Sequence, residues 1–174
     1  MTTIKMVAIP FAFLAAAVIH GGCVGAESDQ EAEEPMAEAE PTAEVAAALS
    51  SCPGGRIEHI PMNSGSTTLA FLDVFFDSST GNNCAMTVAA GNASGHATSI
   101  DVLLVRCKET SPGPTCTFDG TPQTDPNPSD PGPFHFFAGP VLVNAPGHCI
   151  FAKGDLTFNG VTVHGFLPGA AHCG

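Results

Sequence analysis

Six cysteines, six histidines and a handful of carboxylates carry the chemistry open to the body of this chain. The cysteines are Cys52, Cys84, Cys107, Cys116, Cys149 and Cys173. No two form a Cys-x-x-Cys pair, the close spacing that zinc knuckles need. An even set in an exported chain of this size reads as a disulfide framework. Cys107 and Cys116 bracket a proline-rich loop, which suits a local staple. Cys52 opens the folded region and Cys173 is the penultimate residue, so a bridge between them would pin both ends. Cys84 and Cys149 are then left for each other.

The histidines after the leader are His59, His96, His135, His148, His164 and His172. None belongs to a His-x-His or His-Glu-x-x-His motif. A fold could still gather His135, His148 and His164 from neighbouring strands around a metal. The simpler account places them at turn edges and on the surface, and no metal or cofactor is expected. Paired acids for glycoside cleavage would have to come from Glu58, Asp73, Asp77 or Asp101. Asp73 is the notable one, because it stands inside an apolar run where burial would raise its pKa. A Gly-x-Ser-x-Gly elbow is absent, and the serines of Asn63-Ser64-Gly65-Ser66 and Asp77-Ser78-Ser79 read as polar turns. Asp125-Pro126-Asn127-Pro128-Ser129-Asp130 matches a calcium loop only in oxygen content. Asn92-Ala93-Ser94 is formally a glycosylation sequon. Sugar-binding surfaces usually stack rings on Trp or Tyr, and both are missing. Most of the twelve Phe fall in apolar strand runs, where core packing accounts for them.

Strands must position these groups. Thr67 to Phe76 is apolar on both parities, as in a central strand covered on two sides. Cys84 to Ala90 and Thr98 to Arg106 follow, separated by turn-rich stretches. Phe134 to Phe137, Val141 to Asn144 and Cys149 to Ala152 are shorter runs, and Arg56 to Ile60 is a weaker first strand. Asn159-Gly160, between Thr157-Phe158 and Val161-Thr162-Val163, signals a two-residue hairpin. The pattern predicts an all-β fold: an antiparallel sandwich or flattened barrel of about seven or eight strands, stapled by disulfides. Cys107 to Pro133 has seven prolines and three glycines, and reads as a tolerated insertion without strands.

The ends and the charge set the context. Met1 to Ala26 reads as a signal peptide, with Val24-Gly25-Ala26 as its cleavage site. The alternative is a lipoprotein signal over residues 1–22 with Cys23 lipidated, since Ile19-His20-Gly21-Gly22-Cys23 approximates a lipobox. Residues 27–48 hold eight acids and no base, the composition of a disordered acidic linker. Residues 49–174 then form a single domain. Of 174 residues, 17 are acidic and 5 basic, a net charge of -12 that disfavours nucleic acid and anionic lipid. From Leu49 onward nine acids face four bases, so the folded part is only mildly acidic.

Ser78-Ser-Thr-Gly-Asn-Asn-Cys84-Ala-Met-Thr-Val88, Phe136-Phe-Ala-Gly-Pro-Val141 and Ala145-Pro-Gly-His-Cys149-Ile-Phe-Ala-Lys153 together resemble the spore-associated protein A group. Those are small exported bacterial proteins recovered with spores. The resemblance spans about 100 of the 174 residues. Its four cysteine positions fall on Cys52, Cys84, Cys149 and Cys173, and it brings no catalytic residue with it. It implies an exported structural or interaction protein of the cell or spore surface. Its partner would be an unknown surface or spore-coat component, with membrane contact only through a lipid on Cys23. A small-ligand or glycan-binding module on a tether is the alternative, and a small secreted hydrolase the second.

Overall fold

The computed structural model describes residues 52–125 and 135–174. The export signal, Cys23, the acidic linker and most of the oxygen-rich run at 126–130 lie outside them. The fold is all-β, as the alternation predicts. Its strands are β1 (Gly55–Ser64), β2 (Thr67–Asp77), β3 (Asn82–Ala89), β4 (Ser99–Arg106), β5 (Gln123–Asp125), β6 (Phe137–Asn144), β7 (Ile150–Phe158) and β8 (Val161–Phe166). One sheet runs β1-β2-β3-β6 and the other β5-β4-β7-β8. Every pairing is antiparallel.

β2 is central in its sheet: Ala70, Leu72 and Val74 point into the sandwich, whereas Phe71 and Phe75 on its other face are only half-buried, so that face is not fully covered as the sequence suggests. Opposite them lie Ile100, Val102 and Leu104 of β4 and Ile150, Ala152 and Leu156 of β7. Burying such a side chain contributes about 1.5–3 kcal/mol. Two interior residues are polar. Asn83 Oδ1 and Thr87 Oγ1 are buried without a hydrogen-bond partner among the described residues. Thr87 faces Gly154 of β7 so closely that a Cβ on Gly154 would collide with its hydroxyl. The Asn159-Gly160 hairpin forms as expected: both residues have positive φ, as a type I′ turn requires, and Phe158 pairs with Val161.

Four expectations need correction. Of the run Phe134 to Phe137 only Phe137 is strand, and it belongs with Val141 to Asn144 to one strand, β6, which passes through a cis Gly139–Pro140 bond; Phe134 lies outside the described residues. The run from Cys149 extends to Phe158, because Phe151, Lys153, Asp155 and Thr157 alternate with buried Ala152, Gly154 and Leu156. The Cys107 to Pro133 stretch is not strandless: its described part, 107–125, folds back on the second sheet, with Cys107 bridging Phe118 and β5 pairing with β4, and 126–133 lie outside the described residues. The phenylalanines do not fill the core. Among the described residues no Phe is fully buried, and the interior is Leu, Val, Ile, Met and Ala.

Of the three expected disulfides one forms as paired. All six cysteines are bridged, and Cys107–Cys116 is the local staple foreseen. The other two bridges are Cys52–Cys84 and Cys149–Cys173, not Cys52–Cys173 and Cys84–Cys149. Register explains the change. Phe75 of β2 pairs with Cys84 while Phe76 pairs with Gly55, so Cys52, just before β1, arrives at the corner that holds Cys84. Cys84 also packs with Met86 and Val88 on the first sheet's outer side, whereas Cys149 belongs to the other sheet's end. Ala171 bridges Ile150, which returns the C-terminal segment alongside Cys149 and delivers Cys173 to it. The two ends of the domain are instead joined by His172 Nε2 and Glu58 Oε1, 2.8 Å apart.

Candidate functional site

β4, β7 and β8 each send alternate side chains outward, and the register lines them up in rows. Asp101, Asp155 and His164 make one row. Leu103, Lys153 and Phe166 make the next, and Val105 with Phe151 the one after. On the far side of the Asp101 row stand Ser99, Thr157 and Thr162, the two threonine hydroxyls 3.0 Å apart.

Asp155 is held from two sides. Lys153 Nζ donates to its Oδ2 at 2.5 Å, and its Oδ1 bonds His164 Nδ1. That bond raises the Lys153 pKa above the ordinary lysine value. Asp101 has no ion-pair partner among the described residues. Burial, then the like charge of Asp155, pushes its pKa above the ordinary aspartate value.

Beside the polar rows the surface becomes apolar. Phe118, Phe151 and Phe166, with Pro114, Leu167 and Pro168, line an open groove of about 620 Å³ with no charged group in its wall. Phe118 and Phe166 are 46% and 57% exposed. The rings of Phe118 and Phe151 lie 6.4 Å apart. The groove floor is braced by the Cys107–Cys116 and Cys149–Cys173 bridges, which cluster with Phe151 and Ala170.

The residues singled out by type are dispersed. His135 Nδ1 bonds Ala97 O, His148 Nδ1 bonds Cys107 O, and His164 sits on Asp155, so the three do not share a site. Among the described residues, the one grouping of metal-ligand type is Cys107, Glu109 and Cys116. Its two sulfurs are joined in a disulfide and have no thiolate to give. Asp73 lies on the first sheet's outer side, where its Oδ1 takes hydrogen bonds from His59 Nδ1 at 2.6 Å and Arg56 at 3.2 Å. His59 stacks on Phe71 with ring centroids 4.0 Å apart. Asp77 is a turn residue whose pKa is lowered by hydrogen bonds from Ser79 and Thr80. Glu58 is taken by His172. His96 and the Asn92-Ala93-Ser94 sequon lie around a short 3₁₀ turn, Gly91–Ala93.

Phe118, Phe151, Phe166, Lys153 and Asp155 were not among the candidate site residues, although Phe151 and Lys153 fall in a quoted motif. The legible signal was the strict alternation from Phe151 to Thr157, which marks one exposed face. No family model, curated protein or solved structure matches this chain.

Proposed function

We propose that this is an exported, non-enzymatic interaction module of the cell or spore surface, which binds through the outer face of its second sheet. Three disulfides suit an extracellular location. One observation carries the binding reading: phenylalanines that could have been buried instead line an exposed, uncharged groove. Exposed aromatic surface of this kind marks interaction sites. The groove lies on a braced sheet, so it is preorganised for a ligand.

The test is retention. Full-length protein and the Phe118→Ala/Phe166→Ala double variant are applied to isolated surface material of the producing cells and of their spores. The variant should wash off at least several-fold faster. Equal retention would overturn the reading. A panel of chromogenic esters, glycosides and peptides should show no turnover. Turnover that survives purification would replace the module with a hydrolase.

A further inference from the structure

Among the described residues the sandwich has one closed side and one open side. On the closed side Asp125 of β5 accepts a hydrogen bond from Gly139 N of β6, tying the two sheets together. On the open side β1 and β8 are the edges of their sheets, and Met62 of β1 packs on Gly165 of β8. A free edge offers unpaired N–H and C=O groups to any extended chain, so proteins block it with proline, charge, bulges or brevity. β1 carries Pro61, Arg56 and Glu58, and its register shifts at Arg56/Glu58 and again at Met62/Asn63. β6 contains Pro140, and β5 is three residues long. β8 has no such device. Val161–Phe166 holds no proline, lysine, arginine or carboxylate, and it pairs with β7 without a register shift.

The outward groups of β8 can be named. The type I′ hairpin makes Phe158 and Val161 a hydrogen-bonded pair, and alternation along the ladder gives that role next to Val163 and Gly165. Leu167 N donating to Ala152 O continues the series. Thr162, His164 and Phe166 therefore turn their N–H and C=O away from β7, with no backbone partner among the described residues. Val161 and Phe166, at the two ends of the strand, are 44% and 57% exposed.

We propose that β8 pairs with β8 of a second copy of this chain, antiparallel about a two-fold axis at His164, joining two four-stranded sheets into one of eight. That register sets each Thr162 against Phe166 of the other copy and His164 against His164, with about six backbone hydrogen bonds. Every outward group of the strand is then used. Each exposed Phe166 ring gains the Thr162 methyl of the other copy as a cross-strand neighbour. Charge permits the contact. The strand is uncharged while its histidine is neutral, and Asp155 beside His164 is already held by Lys153. A foreign strand would offer the same backbone groups. Self-pairing is favoured because this strand supplies its own uncharged partner, with the aromatic end opposite the small one.

The axis consumes both edges, so assembly stops at two copies. Six residues a side is a small contact, at the low end of interface sizes, below about 1,200 Å². The pair should therefore dissociate on dilution. The inference goes beyond the ligand reading, because it needs the backbone of an edge and not the groove.

The experiment is amide hydrogen exchange of the full chain over a dilution series, with sedimentation velocity on the same samples. Val163 and Gly165 amides should be protected at every concentration. Thr162, His164 and Phe166 amides should exchange fast when dilute and slow by about tenfold or more as the dimer forms. His164→Pro removes an outward N–H and no ladder bond, so it should abolish the dimer and leave the urea midpoint nearly unchanged. His164→Cys should cross-link two copies under mild oxidation, because the axis sets that position opposite itself with Cα atoms about 5.5 Å apart. A chain that stays monomeric at millimolar concentration overturns the proposal. So does a dimer in which the three amides stay exposed, the result expected of association through the apolar leader or the Phe118 groove. A folded His164→Pro chain that still dimerises overturns it too, and if that variant does not fold, the wild-type exchange pattern decides. Protection of the three amides only on adding surface material, the chain alone being monomeric, overturns self-pairing in favour of a foreign strand.

Discussion

Asp73 and Thr87 are buried polar residues with opposite accounts. Asp73 is 2% exposed, yet its carboxylate is met by Arg56 and His59, whose side chains are 48% and 41% exposed. Removing the partners leaves a buried charge unpaired, whereas removing the acid merely returns two exposed cations to water. Arg56→Ala/His59→Ala should therefore cost about 3 kcal/mol, and Asp73→Leu clearly less, read from urea unfolding. The reverse order would show that Asp73 has partners beyond these two. Thr87 has no such compensation, since its hydroxyl is buried and unbonded. Thr87→Val keeps the shape and removes the orphan, so it should stabilise by about 1 kcal/mol. Gly154→Ala should destabilise by about 1–3 kcal/mol by collision with that side chain. Thr87→Ala in the same chain should recover most of the loss, because the nearest remaining contacts lie at 3.3 and 3.4 Å. Additive effects of the two changes would show that the strain is held elsewhere.

β7 shows what was legible and what was not. Alternation, turn chemistry and the Asn159-Gly160 hairpin are local properties, so the all-β class and most strand positions could be read from the chain. Disulfide partners are not local. Cys84 and Cys149 each open a strand run after a turn, and nothing near them records that they belong to different sheets. The Phe residues misled for a related reason: a strand run does not reveal which of its faces meets the other sheet. The candidate face was thus half legible, as an alternating row whose exposure only the pairing with β4 and β8 decides. Peptide mapping without reductant should recover Cys52–Cys84, Cys107–Cys116 and Cys149–Cys173, and a Cys84–Cys149 peptide would contradict this register. Loop closure predicts about 3.5 kcal/mol for each of the two longer bridges and about 2.6 kcal/mol for Cys107–Cys116. Cys149→Ser/Cys173→Ser should also loosen the Phe151 groove, since that bridge packs beneath it.

For the molecule as a whole, pH acts through groups that pull in opposite directions. Asp101 is held above its ordinary value by burial and by Asp155. Its folded state therefore binds the proton more tightly than its unfolded state. Between the ordinary value and the raised one, this carboxyl makes stability fall as pH rises. Asp77 and Glu109 are lowered by hydrogen bonds from Ser79, Thr80 and Thr117. Their contribution is present above the ordinary value and lost as pH falls through their lowered folded values. Lys153 is raised, so its contribution holds below the ordinary lysine value and is lost as pH rises through the folded one. The carboxylate windows barely overlap: the Asp101 effect lies upward of the ordinary value, the Asp77 and Glu109 effects downward. Asp101→Asn isolates the first, because loss of net negative charge on acidification and the histidine pairs are common to both proteins. The urea midpoint of the variant should exceed that of wild type at pH 7. The difference should shrink toward zero as pH falls into the acid range where Asp101 is protonated in both states. A variant less stable than wild type at pH 7 would mean that Lys153 and His164 outweigh burial and Asp155 at this carboxyl.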